Sequence, residues 1–142
     1  TGQVAEMQLA NAFRSRKRFR AQEYFKGVPD EHNTLLNIID VKTRFIFQRE
    51  DGKNMEFDVV AESKCGRTLI VEVKKRAVKT GVNLVEDFIE KVESYRKVES
   101  YQKADIDRVV LPAFLSLGGF THDALELCGA KGIFTSDKIE IF

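Results

Sequence analysis

In the stretch Phe57 to Lys75, which reads FDVVAESKCGRTLIVEVKK, three of the charged residues interrupt the apolar code of two short strands. They are Asp58 in its first half and Glu72 with Lys74 in its second. Carboxylates are the oxygen ligands that hard divalent ions such as Mg2+ and Mn2+ prefer. The stretch has the pattern of two strands joined at Lys64-Cys65-Gly66-Arg67, and strand side chains alternate between faces. Glu72 and Lys74 therefore share one face with Ile70, while Leu69, Val71 and Val73 take the other. Asp58 joins them only in one register, since a slip of one residue reverses the face. A two-residue Cys65-Gly66 loop pairs Asp58 with Val73, on the wrong side. A three-residue loop, Lys64-Cys65-Gly66, pairs it with Glu72 and puts Gly66 at the left-handed position such loops need. The three-residue loop, or an equivalent bulge, is the expectation. The plainer alternative is a solvent-facing ladder of charges. Against it, Val60 and Ile70 fall on the same face in this register and imply that a helix covers part of it.

The flanking elements must hold this hairpin. From Gly2 to about Phe19 the composition is helical, with Glu6, Leu9, Ala10 and Phe13 on one stripe. Glu6 is either a first-turn residue favoured by the helix dipole or an acidic group aimed at the same site. Gly27, Pro29 and Asp30 close this region. Thr34 to Arg49 reads as the first strand, with Val41, Phe45 and Phe47 marking one face, and Asp51-Gly52 as the turn into the central hairpin. A three-strand antiparallel meander results. From Leu84 a core-packing helix follows, with Val85, Phe88, Ile89, Val92 and Tyr95 on its stripe. The repeat KVESY, at Lys91 to Tyr95 and again at Lys97 to Tyr101, has a period of six. Six residues advance about 240° around a helix, so either the helix bends near Val98 or Val98 and Tyr101 form a second contact surface.

Asp107 to Leu117 is nearly continuous in apolar residues and reads as a buried strand, with a bulge or gap expected at Pro112. Thr121 is expected to cap a helix from Ala124 to Lys131. Gly132-Ile133-Phe134 reads as a final short strand, and Ile139 to Phe142 as a tail or edge strand.

The residues now on the page resemble a family. Asp58, thirteen intervening residues, and Glu72-Val73-Lys74 resemble the metal-binding core of the PD-(D/E)XK phosphodiesterases, the restriction-endonuclease-like nucleases. Gly2-Gln3-Val4-Ala5-Glu6 followed by Leu9 and Phe13 is similar to the first helix of archaeal Holliday-junction resolvases. Gly119-Phe120-Thr121, Ala124 to Leu127 and Gly132-Ile133 are similar to the closing segment of Mrr-type nucleases. Phe57 stands where the family name has proline. The resemblance implies an α/β fold with a restriction-endonuclease-like core, ordered α-β-β-β-α-β-α-β, whose mixed central sheet is flanked by helices.

It also implies a Mg2+- or Mn2+-dependent nuclease that hydrolyses phosphodiester bonds of DNA, an endonuclease rather than an exonuclease. Asp58, Glu72, the Val73 carbonyl and Glu6 would hold metal, and Lys74 would orient or deprotonate the attacking water or stabilise the phosphate. The alternative within the superfamily is a non-catalytic relative that serves as a nucleic-acid-binding or assembly domain. A homodimer would suit the cutting of two strands.

Composition fits these expectations. The chain has 142 residues, 43% hydrophobic and including eleven Phe, enough for one domain with one core. It starts at Thr1, so it is expected to be a domain cut from a longer chain. No apolar run approaches the roughly 20 residues that cross a bilayer, and a cytoplasmic protein without a membrane partner is expected. Cys65 and Cys128 lack zinc or redox spacing and are expected to be reduced. Net charge is only +1, yet Arg14, Arg16, Lys17, Arg18 and Arg20 crowd one segment and Lys74, Lys75, Arg76 and Lys79 another. Such clusters suit either phosphates or solvent.

Overall fold

The computed structural model describes residues 2–102 and 109–140, with side chains at 4–98 and 109–140. Thr1, Asp107, the Tyr101 side chain and Phe142, all named above, lie outside the described residues. The chain is α/β, with helix α1 (Gly2–Arg16), strands β1 (Arg18–Phe19), β2 (Leu36–Gln48), β3 (Asn54–Ser63) and β4 (Arg67–Lys74), helix α2 (Val82–Gln102), strand β5 (Val109–Ser116), helix α3 (His122–Ala130) and strand β6 (Phe134–Ser136). The strands form one sheet in chain order, antiparallel from β1 to β4 and parallel from β4 to β6. β1 adds to the expected series of elements.

Two apolar layers clasp the sheet. On one side Leu9, Ala10 and Phe13 of α1 pack on Val59, Ala61, Leu69, Val71 and Val73. On the other, Val85, Phe88, Val92 and Tyr95 of α2, with Ala124 and Cys128 of α3, cover Val60, Ile70 and Phe114. Phe13, Phe88 and Phe114 are fully buried, and burial of such a side chain stabilises by about 1.5–3 kcal/mol. Cys65 and Cys128 are both free thiols.

Four local expectations are corrected. α1 stops at Arg16 instead of running on to Phe19, because Lys17 turns left-handed (φ 60) and its N–H bonds back to the Phe13 carbonyl at 3.0 Å. That turn brings Phe19 into the core, where it stacks on Phe13 with ring centres 5.1 Å apart. Val41, Phe45 and Phe47 do not share a face: Val41 packs in the α1 layer, Phe45 and Phe47 in the α2 layer. The break lies at Arg44, which adopts φ 52 and reverses the alternation of β2. Pro112 makes no bulge, since β5 runs beside β4 without a register shift from Arg67↔Val109 to Lys74↔Ser116. Pairing with β6 begins only at Ala113, so the missing proline donor interrupts no ladder there. The last strand is Phe134–Ser136 rather than Gly132 to Phe134, and Ile139 packs on the α1 layer without joining the sheet.

Other elements lie where the sequence put them. The Thr121 hydroxyl caps α3 by accepting from the Ala124 N–H at 3.1 Å. Val98 departs from expectation: it packs against the same α2-layer core as Val92 and Tyr95, within one helix from Val82 to Gln102, so it does not turn to a second surface.

Candidate active site

The hairpin β3–β4 turns through the three residues Lys64, Cys65 and Gly66, with Gly66 left-handed at φ 85. Its ladder pairs Glu62 with Thr68, Ala61 with Leu69, Val60 with Ile70 and Val59 with Val71. Extending that register by one step sets Asp58 opposite Glu72. There the two strands part. Instead of a further backbone pair, the Val73 N–H donates to Oδ2 of Asp58 at 2.7 Å. β4 meanwhile stays paired with β5 as far as Lys74.

Parting and twist go together. Val59 and Ala61 face the α1 layer, yet Phe57, two residues before Val59, lies in the α2 layer. β3 thus switches faces at Asp58, in step with β2 at Arg44, the position across from it between the pairs Thr43↔Val59 and Phe45↔Phe57. A side chain at this crossing point can reach both layers. Asp58 does so: it lies within hydrogen-bonding reach of Glu6 from α1 and of Glu72 from β4. Asp58 thus neighbours Glu6 in one direction and Glu72 in the other.

Glu72 is 4% exposed. Burial, then the charge and hydrogen bond of Asp58, push its carboxyl up to about 7, and Lys91 opposes them. The Lys91 ammonium lies 3.0 Å from Oε2 of Glu72 and donates to the Glu56 carbonyl at 3.1 Å. Glu6 is likewise raised, by burial first and then by Asp58, while Arg44 at 4.0 Å pulls the other way. Lys74 is half-buried. It lines a groove of about 270 Å3 with Glu72, Lys91, Asp87 and Glu90.

Two residues of this site escaped the sequence reading. Lys91 was legible in part: it stands three residues after Phe88 and four before Tyr95, hence on the stripe that α2 buries. Arg44 left no mark, because a left-handed arginine inside a strand has no compositional signature. The first basic cluster serves structure in part. Arg14 donates to the Val41 carbonyl at 2.9 Å, Arg16 pairs with Glu23, and Arg20 donates to the Asn33 carbonyl at 2.8 Å.

The donor set suits a hard divalent ion. Glu6, Asp58 and Glu72 offer carboxylate oxygens, and the carboxyls of Glu6 and Glu72 are held above their ordinary range by burial first and by the charge of Asp58 second. Among the described residues, however, no three acidic, His or Cys side chains are already disposed as a ready cage. Glu72 is paired with Lys91, and Glu6 lies 4.0 Å from Arg44. Val73 is favourably placed as well. Its N–H points at Asp58, and in an extended strand a residue's N–H and C=O face the same neighbour.

No protein-family model and no curated protein matches the chain. Solved structures do. A protein of unknown function, AF1548, superimposes with a TM-score of 0.63 at 18% identity, over 95% of this chain and 57% of its own. EndoMS in its apo form gives 0.50 at 12% identity, over 96% and 47%. A repair endonuclease from Pyrococcus abyssi gives 0.46 at 16% identity, over 69% and 39%. The chain shares the fold of AF1548 and EndoMS and spans about half the length of the solved structures it matches. None of its described helices is long and apolar enough to cross a membrane.

Proposed function

We propose that this chain is a PD-(D/E)XK nuclease domain that hydrolyses phosphodiester bonds of DNA with Mg2+ or Mn2+, as an endonuclease. The observation that carries the reading is the place of Asp58, at the point where β3 and β4 part, beside Glu6 of α1 and beside Glu72 of β4. A packed fold gains nothing from gathering like charges, which repel by roughly 4 kcal/mol at 4 Å and an effective dielectric of 20. Asp58, Glu72, the Val73 carbonyl and Glu6 would hold the ion. When bound, it supplies neutralising charge on the phosphate and a more acidic water.

The chain's own residues do the rest. The Val73 N–H fixes the orientation of the Asp58 carboxylate. Lys91 pairs with Glu72 where both line the groove. Lys74, on the same strand and in the same groove, offers an ammonium to the attacking water or to the charge that develops on the phosphate. α2 covers the apolar part of this face. The test is incubation with plasmid, single-stranded and branched DNA in Mg2+ and in Mn2+, beside Lys74→Met. Cleavage that needs the metal and falls at least a hundredfold in the variant supports the reading; equal cleavage by pure Lys74→Met removes it.

One observation favours a second reading, a binding or assembly domain without catalysis. Lys91 already supplies Glu72 with a counter-charge, so the acidic cluster does not depend on a metal for all of its neutralisation. DNA retention with no cleavage of any substrate in either metal would select this reading.

A further inference from the structure

We infer that the loop from Lys75 to Lys79 is a built phosphate-contact site, which grips the backbone of a nucleic acid beside the acidic cluster. The inference rests on the nuclease reading only for its choice of partner. Lys75, Arg76 and Lys79 are all exposed, and among the described residues none forms an ion pair. Val78 between them is 64% exposed. A loop that merely connects β4 to α2 has no reason to be held tightly. This one is bracketed at both ends.

At its start the Leu117 N–H donates to the Lys74 carbonyl at 2.9 Å. At its end Thr80 is buried; its N–H donates to the Gly119 carbonyl at 2.8 Å, its carbonyl accepts from the Thr121 N–H at 3.0 Å, and its hydroxyl lies 2.7 Å from that of Ser116. Between these ties Gly118 passes so near the loop that a Cβ there would run into the carbonyl oxygens of Arg76 and Val78. Three unpaired cations are thus displayed from a fixed frame, one residue beyond Lys74. Polyanion binding needs such a patch. The neighbouring carboxylates repel phosphates, and a net charge of +1 supplies no general attraction.

The experiment measures binding of a fluorescent 20-base-pair duplex DNA in EDTA across a series of NaCl concentrations, for the chain and for the triple variant Lys75→Ala/Arg76→Ala/Lys79→Ala. Each phosphate contact contributes about 0.9 to the slope of log K against log salt on duplex DNA, so the slope should shrink by about 2 to 3 in the triple variant. Binding at 0.1 M salt should weaken at least tenfold. A comparator that loses three exposed cations elsewhere, Arg18→Ala/Lys26→Ala/Lys131→Ala, should keep its slope within about one. Gly118→Ala keeps every charge but displaces the loop, and should weaken binding if it folds; the triple variant, confined to exposed side chains, carries the test if it does not. An unchanged slope in the triple variant, an equal loss in the comparator, or no binding by the parent chain at 50 mM salt overturns the inference. Single-stranded DNA and duplex RNA probes identify which backbone is gripped most tightly. Loop-dependent binding without cleavage would sink the nuclease reading alone, whereas cleavage with loop-independent binding would sink this one alone.

Discussion

The Asp58 carboxylate accepts a 2.7 Å hydrogen bond from the Val73 N–H, in the place where a backbone carbonyl of β3 would otherwise have been. This side chain both closes the gap between the parting strands and stands between two other carboxylates. Structure and chemistry therefore make separable demands on it. Asp58→Asn keeps an acceptor for Val73 and should fold with nearly unchanged stability, while Asp58→Ala leaves that N–H unpaired and should lose about 1–3 kcal/mol. Both should lose cleavage. Urea melts beside a plasmid-nicking assay check this, and equal stability of the two variants would contradict the structural half.

Glu72 predicts the sign of a pH dependence. Its folded-state pKa, about 7, lies above the ordinary glutamate value of 4.5, so the folded chain holds this proton more tightly than the unfolded chain does. The resulting stability is present in full below about 4.5 and is lost as pH rises through 7. In EDTA, the difference in unfolding free energy between the parent and Glu72→Gln should change against the parent by on the order of 2 kcal/mol from pH 5 to pH 8. A constant difference, measured by urea melts, would show that Glu72 titrates normally.

Lys91 is the cation that Glu72 touches. Its replacement by Met removes the counter-charge while roughly keeping the side chain's length. At pH 8 the loss should approach the roughly 3–5 kcal/mol typical of a broken buried pair. At pH 6 it should be much smaller, because Glu72 then takes up a proton. Chemical melts at the two pH values measure the gap; the same loss at both would mean that Lys91 contributes packing rather than charge.

Arg44 holds φ 52 within β2, where the face of the strand reverses. Arg44→Gly suits that conformation and should stay within about 1 kcal/mol of the parent despite losing the contact with Glu6. Arg44→Val, β-branched and ill-suited to positive φ, should cost about 1–3 kcal/mol. Thermal melts rank the three proteins, and a valine variant as stable as the parent would mean that the backbone there is not constrained.

How far the sequence disclosed this site follows from which forces act locally. The hairpin register was legible because a glycine in a three-residue loop and a one-sided apolar code agree on the same pairing, the one observed from Glu62↔Thr68 to Val59↔Val71. The stripe on α2 was legible because helical periodicity reports burial directly, and Val85, Phe88, Val92 and Tyr95 are all buried. Glu6 stood out because a carboxylate on an apolar stripe needs a reason. The face switch at Arg44 and Asp58 was not legible. It arises from one left-handed arginine, a tertiary constraint that period-2 alternation cannot encode, and it moved Phe45 and Phe47 away from Val41. The early end of α1 escaped for a similar reason, since Arg, Lys and Phe all tolerate a helix and only the pull of Phe19 into the aromatic cluster turns the chain at Lys17.

Calorimetric titration of Mn2+ into the metal-free chain at pH 8 tests most directly whether the clustered carboxylates are a cation site. Saturable binding that disappears in Asp58→Asn, with the variant's melting curve intact, is the expected result. No saturable heat in the parent chain, or the same isotherm in Asp58→Asn, would contradict the account.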